Sequence, residues 1–153
     1  MVNYFKAKAP DLKRVAILGR DDVFPKSMAQ GIAVSAKAEG LDVVYNQLYS
    51  VGTIDHSAAL SAIKAAKPDW IYVTGYTQDL ILVRKQMSDL GVEAPIITMV
   101  TGPAYRELTE GLGALANGVT SPTWWHHATR TSGGGVGPTR ARCYRESVNK
   151  AQG

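Results

Sequence analysis

Lys13-Arg14-Val15-Ala16-Ile17-Leu18-Gly19-Arg20-Asp21-Asp22-Val23-Phe24-Pro25 begins with a continuous aliphatic run, breaks at Gly19 and resumes with a proline suited to a first helical turn. Met28, Ile32 and Ala36 then recur at helical spacing, and Gly40 can stop that helix. A second aliphatic run follows at Asp42–Leu48. This strand–helix–strand unit repeats. Candidate strands at Arg14–Gly19, Asp42–Leu48, Asp69–Gly75, Pro95–Val100 and Asn117–Ser121 start 28, 27, 26 and 22 residues apart. Most lack apolar–polar alternation, as expected of parallel strands covered on both faces. With right-handed crossovers the pattern predicts an α/β fold, a five-stranded parallel sheet sandwiched by helices in the flavodoxin-like, Rossmann-like manner.

The intervening helices carry their own punctuation. Asp55 is an expected N-cap for a helix burying Ala59, Leu60 and Ile63 and closed by Pro68. Thr77 is the expected cap of the next, with Leu80, Val83, Met87 and Leu90 on one stripe before Gly91. Pro103 opens a shorter one with Tyr105, Leu108 and Leu112. After residue 123 the pattern ends. Trp124-Trp125-His126-His127 runs into a glycine-dense stretch that reads as a linker, and Pro138–Lys150 is a candidate final helix. The expected division is therefore residues 1–123 as the α/β body and 124–153 as a crossing segment plus an orphan helix.

Composition bounds the function. The chain has 153 residues, 45% hydrophobic and 20% charged, the size of one or at most two domains and ordinary for a globular protein. No apolar run approaches the roughly 18 residues that span a bilayer, and Met1–Lys6 carries no apolar core of a signal peptide. One cysteine, Cys143, excludes an internal disulfide framework. The net charge of +4 suggests nucleic acid, but its distribution argues otherwise: residues 1–20 and 124–153 are each +4, while 21–123 is −4. No basic stripe marks a recognition element, so nucleic acid is not an expected partner.

Ligands of open parallel sheets sit beyond the carboxyl ends of the strands. The loops there hold aromatics (Phe24, Tyr49, Tyr76), hydroxyls (Thr53, Thr77, Thr101), acids (Asp21, Asp22, Asp79) and Arg20. That mixture suits a small polar or zwitterionic molecule. The alternative is that Asp21, Asp55 and Asp79 only cap helices and the aromatics fill surface grooves.

Enzyme signatures fail. Ser132–Thr139 has the glycines of a phosphate loop but no lysine, and the turn after Gly19 lacks the second and third glycines of a dinucleotide fingerprint. Asp21-Asp22 resembles a phospho-receiver, but Thr74-Gly75-Tyr76 stands where the phosphorylated aspartate is needed. His126 and His127 are adjacent and cannot converge on a metal, and His56 is expected to face solvent early in its helix. Cys143 has no evident base. Neither a catalytic set nor a cofactor or metal is expected, and a flavodoxin-like enzyme ranks behind a binding module.

Together, Lys13 to Phe24, Leu41-Asp42-Val43-Val44, Gly52-Thr53-Ile54-Asp55-His56-Ser57, Ala66-Lys67-Pro68-Asp69, Val73-Thr74-Gly75-Tyr76, Leu90-Gly91, Gly113 to Val119 and Gly137-Pro138-Thr139 resemble one family in order and spacing. It is the solute-binding proteins of branched-chain amino-acid ABC transporters, type I periplasmic binding proteins of the leucine/isoleucine/valine-binding class. The resemblance covers about residues 10–148.

It implies that this stretch is the second of two lobes that close on a ligand, that the full-length parent is periplasmic, and that a membrane permease is a partner there. It places Phe24 on the ligand cleft, Thr53 where branched-chain binders carry a glutamate for the ligand ammonium, Gly75-Tyr76-Thr77 on the loop after strand three, and Thr101-Gly102 on the loop after strand four. Pro25 replaces a family glycine, and with Thr53 in place of an acid, Asp22 or Asp79 would supply the negative charge. The family also binds amides, urea and aromatic acids, and the same fold serves as the sensor of amide-responsive regulators and receptor ectodomains. A homodimer is a further expectation, through an exposed lobe face near Tyr4, Phe5, Trp124 and Trp125.

Overall fold

The computed structural model describes residues 1–100 and 105–122. The expected crossing segment and helix of 124–153, together with Thr101, Gly102 and Pro103, lie outside the described residues. The elements run α1 (Val2–Lys8), β1 (Arg14–Arg20), α2 (Val23–Ala38), β2 (Asp42–Tyr49), α3 (Ser57–Ala66), β3 (Trp70–Thr74), α4 (Thr77–Asp89), β4 (Ile96–Val100), α5 (Arg106–Leu112), a 3₁₀ turn at Gly113–Ala116, and β5 (Val119–Thr120). All strand pairs are parallel, in the order β2-β1-β3-β4-β5. This is the doubly wound arrangement that the repeat predicts.

Pleating explains why the strands read as unbroken apolar runs. Ala16, Leu18, Ile71, Val73, Ile97 and Met99 point to one face and are buried with Leu60 and Ile63 of α3, Leu80, Val83 and Met87 of α4, and Leu108 and Leu112 of α5. Val15, Ile17, Trp70, Tyr72 and Val100 point to the other, against Ala29, Ile32, Ala33 and Ala36 of α2 and Val2 and Phe5 of α1. Both faces are covered, so both are predominantly apolar. The edge strand β2 is the exception, half exposed along most of its length, with a register shift opposite Val15/Ala16.

Helix ends follow local chemistry. Gly40 at φ +76° and Gly91 at φ +60° take the left-handed conformation that closes α2 and α4. Leu41 N–H then bonds Ala36 O at 2.9 Å, and Val92 N–H bonds Met87 O at 2.8 Å. Two expected caps are displaced by one residue. His56, not Asp55, is the N-cap of α3, although the Asp55 carboxylate still accepts the Ser57 N–H at 2.9 Å. Tyr76, not Thr77, is the N-cap of α4, with its N–H bonded to Asp79 Oδ2 at 3.2 Å.

The N-terminal helix α1 has no counterpart in the periodicity. Phe5, which the sequence places at an exposed, associating face, is buried, edge-on to the Trp70 indole at 5.1 Å. A long-range aromatic contact overrides the terminal position. Tyr4 does remain exposed.

Candidate functional site

Strand order reverses between β1 and β3: β1 leads by α2 to β2 on one side, and β2 returns by α3 to β3 on the other. A crevice opens at such a switch point beyond the carboxyl ends. Parallel register brings Arg20 level with Tyr49, and Gly19 level with Thr74. Gly19 is closely approached: a Cβ there would meet Leu48 Cδ2 at 2.8 Å and Ala29 Cβ at 3.1 Å.

Arg20 is the centre of the site. Its Nη1 donates to Asp79 Oδ2 at 2.8 Å, its Nε lies 3.7 Å from Asp22 Oδ2, and its Cζ stands 4.9 Å from the centroid of the Tyr76 ring. The hydrogen bond from Arg20 to Asp79 raises the guanidinium pKa further above its usual value, against the opposing effect of burial. Side-chain exposures of 19% for Arg20 and 14% for Asp79 put this pair in a partly dehydrated setting, where Coulomb attraction is less screened than at the surface. Asp22 also caps α2, its Oδ1 accepting the Val23 N–H at 2.8 Å. By contrast, the Lys26–Asp21 pair is exposed and contributes little.

Behind this cluster lie Tyr49 and His56. Their rings meet edge-on at 4.7 Å. His56 is only 2% exposed, which overturns its expected solvent-facing position. Gln86 of α4 draws the loop inward, accepting the His56 N–H at 2.8 Å and donating to Ile54 O at 2.8 Å. Burial dominates both titrations: it lowers the His56 pKa against the opposing pull of Asp79 and Asp55, and it pushes the Tyr49 phenol well above its usual value. Gly75 admits the Tyr49 hydroxyl so closely that any Cβ there would collide with it.

Among the described residues the buried side-chain polar atoms without a hydrogen-bond partner are Arg20 Nε, Tyr49 Oη, both ring nitrogens of His56 and Thr74 Oγ1. All belong to the carboxyl ends of β1, β2 and β3 or to the loop after β2. Buried groups of this kind are uncommon and costly, and they concentrate at sites of function.

The lowered His56 pKa has a defined consequence. A folded value below the ordinary 6.5 leaves stability intact above that pH and erodes it as pH falls through 6.5 toward the folded value, because the unfolded chain takes up the proton first. Urea unfolding at about pH 7.5 and pH 5.5 should show that loss in the native protein. A His56→Phe variant should show a smaller one. Equal slopes in the two proteins would contradict the burial of a neutral His56.

The sequence-predicted residues divide. Asp22, Tyr76 and Asp79 meet around Arg20. Thr53 donates its hydroxyl to Ser50 O at 2.7 Å, closing its own turn. Thr77 is the first residue of α4, half-buried, and Phe24 sits half-buried in the first turn of α2, packed on the α2-side core. Thr101 and Gly102 lie outside the described residues. Arg20 and Tyr49 read only as loop content in the sequence, and no local signal marks their convergence. A groove of about 470 Å³ opens elsewhere, lined by Val2, Met28, Ile32 and Tyr72 among others, and shares no residue with the crevice. Among the described residues no group of His, Cys, Asp or Glu could hold a metal, and no helix is long and apolar enough to cross a membrane.

Comparison with known proteins agrees with this geometry. Residues 1–140 match the model of the periplasmic binding protein family. The chain is 34% identical over 85 residues to the Leu/Ile/Val-binding protein BraC3 of Rhizobium johnstonii, covering 56% of this chain and 23% of that one. It is 27% identical over 128 residues to Leu/Ile/Val-binding protein homolog 8 of Brucella abortus, covering 82% and 32%. The crystal structure of a leucine-binding protein, LivK, of Thermotoga maritima superposes with a TM-score of 0.74 at 25% identity, covering 95% of this chain and 41% of that one. The chain thus spans less than half the length of these relatives. With the strand order, the switch-point crevice and the family match in agreement, the chain belongs to the periplasmic binding proteins of type I.

Proposed function

We propose that the crevice at the β1/β3 switch point is one wall of a cleft for an amino acid or a related small polar solute, and that the protein acts without catalysis as a substrate-binding component of an ABC transporter. The observation that carries this reading is the constellation of Arg20, Asp22, Asp79 and Tyr76 at the place where the fold presents its ligands. Two carboxylates against one guanidinium leave one net negative charge, which favours a cationic group such as an ammonium. The Tyr76 ring, 43% exposed, offers that solute an aromatic face. Val23, Val51 and Ile54 stand exposed on the same rim and supply apolar contact area.

In this reading a solute stabilises a closed state by its differential affinity for it. A wall supplying about half of a roughly −8 kcal/mol interaction binds about a thousandfold more weakly than the whole cleft, hence at millimolar Kd or above. Isothermal calorimetry of the 153-residue chain with L-leucine, L-valine and acetamide tests this. Millimolar affinity for one of them is the expected result. Micromolar affinity would contradict the half-cleft account, and no heat from any of the three would count against the solute class.

A further inference from the structure

We infer that Arg20 is a positioning residue that fixes the pose of the Tyr76 ring, and that its charge is consumed in doing so. This rests on the reading of Tyr76 as a wall of the solute cleft.

Tyr76 is the N-cap of α4, outside the helical ladder, and its ring is 43% exposed. Among the described residues no other aromatic ring stacks on it. A ring in that setting would ordinarily exchange between staggered rotamers. Arg20 removes that freedom because it is itself immobilised. Its Nη1 is bonded to Asp79 at 2.8 Å, and its Nε faces Asp22 at 3.7 Å. The two carboxylates come from different elements, the cap of α2 and the first turn of α4. A planar cation held from two directions presents one face, and the Tyr76 ring takes it at 4.9 Å.

Asp79 closes the circuit. The same Oδ2 that accepts Arg20 Nη1 also accepts the Tyr76 N–H at 3.2 Å. Backbone and ring of Tyr76 are therefore fixed by one ion pair that crosses from β1 to α4. The pose of the wall is set before a solute arrives, which lowers the ordering cost of binding. With two carboxylates beside one guanidinium, the surroundings of Arg20 carry net negative charge and disfavour an anionic solute there. Its Nε, buried, has no hydrogen-bond partner.

The test uses the full chain with 3-fluorotyrosine incorporated, the Tyr76 fluorine signal being assigned by its loss in Tyr76→Phe. Without solute, Arg20→Met should move that signal toward the free amino-acid position. Arg20→Lys keeps the charge but not the planar face and should move it part of the way. Circular dichroism confirms that each variant is folded, and the lysine variant serves if the methionine variant is not. A Tyr76 signal unmoved in the folded variants overturns the proposal.

A second arm titrates L-leucine. The native Tyr76 signal should shift on addition, and Arg20→Lys should weaken the apparent affinity roughly two- to fivefold, the scale of an exposed cation–π contact. A native signal indifferent to L-leucine, L-phenylalanine and acetamide would remove Tyr76 from the cleft. The solute-free arm would still report separately whether Arg20 holds the ring.

Discussion

Replacing Trp70 with alanine lowers the unfolding free energy by about 3–5 kcal/mol. The indole is completely buried at the start of β3. It meets Phe5 edge-on at 5.1 Å and Tyr72 at 5.9 Å, and its Nε1 donates to Thr98 Oγ1 at 2.9 Å. Alanine removes the largest side chain in the α2-side core, leaves a cavity lined by rigid strands, and strips the Thr98 hydroxyl of a donor. Thr98 keeps its contact with Thr120 Oγ1 at 2.8 Å, so the polar loss is partial and the cavity dominates. The substitution also undocks α1. A seven-residue helix is not stable by itself in water, and α1 is held by Phe5 and Val2 against this core. Urea unfolding and amide exchange should therefore report two things together: a large drop in global stability, and loss of protection in Val2–Lys8 beyond that drop. A change below about 1 kcal/mol would contradict the packing described for β3.

The second large effect lies at the crevice itself. Gly75→Ala should cost about 1–3 kcal/mol in the native background, because its methyl collides with the Tyr49 hydroxyl and comes within 3.4 Å of Asp79 Cβ. The Tyr49 ring cannot simply swing away, being buried with His56 against its edge. Tyr49→Phe removes the colliding oxygen. By itself that variant should be neutral or slightly stabilising, since the hydroxyl is buried without a hydrogen-bond partner. In the Tyr49→Phe background the cost of Gly75→Ala should fall to a fraction of its native value. A double-mutant cycle by denaturant unfolding measures this coupling directly. Additive costs would show that the hydroxyl is not what excludes a side chain at position 75.

Much of the sheet was legible because parallel strands announce themselves locally. Arg14–Arg20, Trp70–Thr74 and Ile96–Val100 are covered on both faces, so their apolar runs are unbroken and their limits fall within a residue of those read from the sequence. The apolar stripes of α3 and α4 were equally plain, with Leu60, Ile63, Leu80, Val83 and Met87 all buried. What escaped was decided at long range. Helix α1 exists because Phe5 finds Trp70, sixty-five residues away in sequence. His56 is buried because Gln86, thirty residues on, ties down its loop.

The site shows the same division. The rule that ligands lie beyond strand ends pointed to the loops holding Asp22, Tyr76 and Asp79, which the structure brings together around Arg20. It could not reveal that Arg20 would bind two of them and underlie the third, because pairing across the switch point depends on side-chain direction and register. Phe24 and Thr53 were read from both the strand-end rule and the family resemblance. Their local commitments, to the α2-side core and to the turn at Ser50, appear only in three dimensions.

The most direct test of the solute-binding account is residue-resolved. ¹⁵N-labelled protein is titrated with L-leucine, L-valine and acetamide while amide shifts are followed. The account predicts saturable perturbations at Arg20–Phe24, around Tyr49–His56 and at Gly75–Asp79, with millimolar apparent affinity. Perturbations confined to the groove of Val2, Met28, Ile32 and Tyr72, or none at all with any of the three, would contradict it.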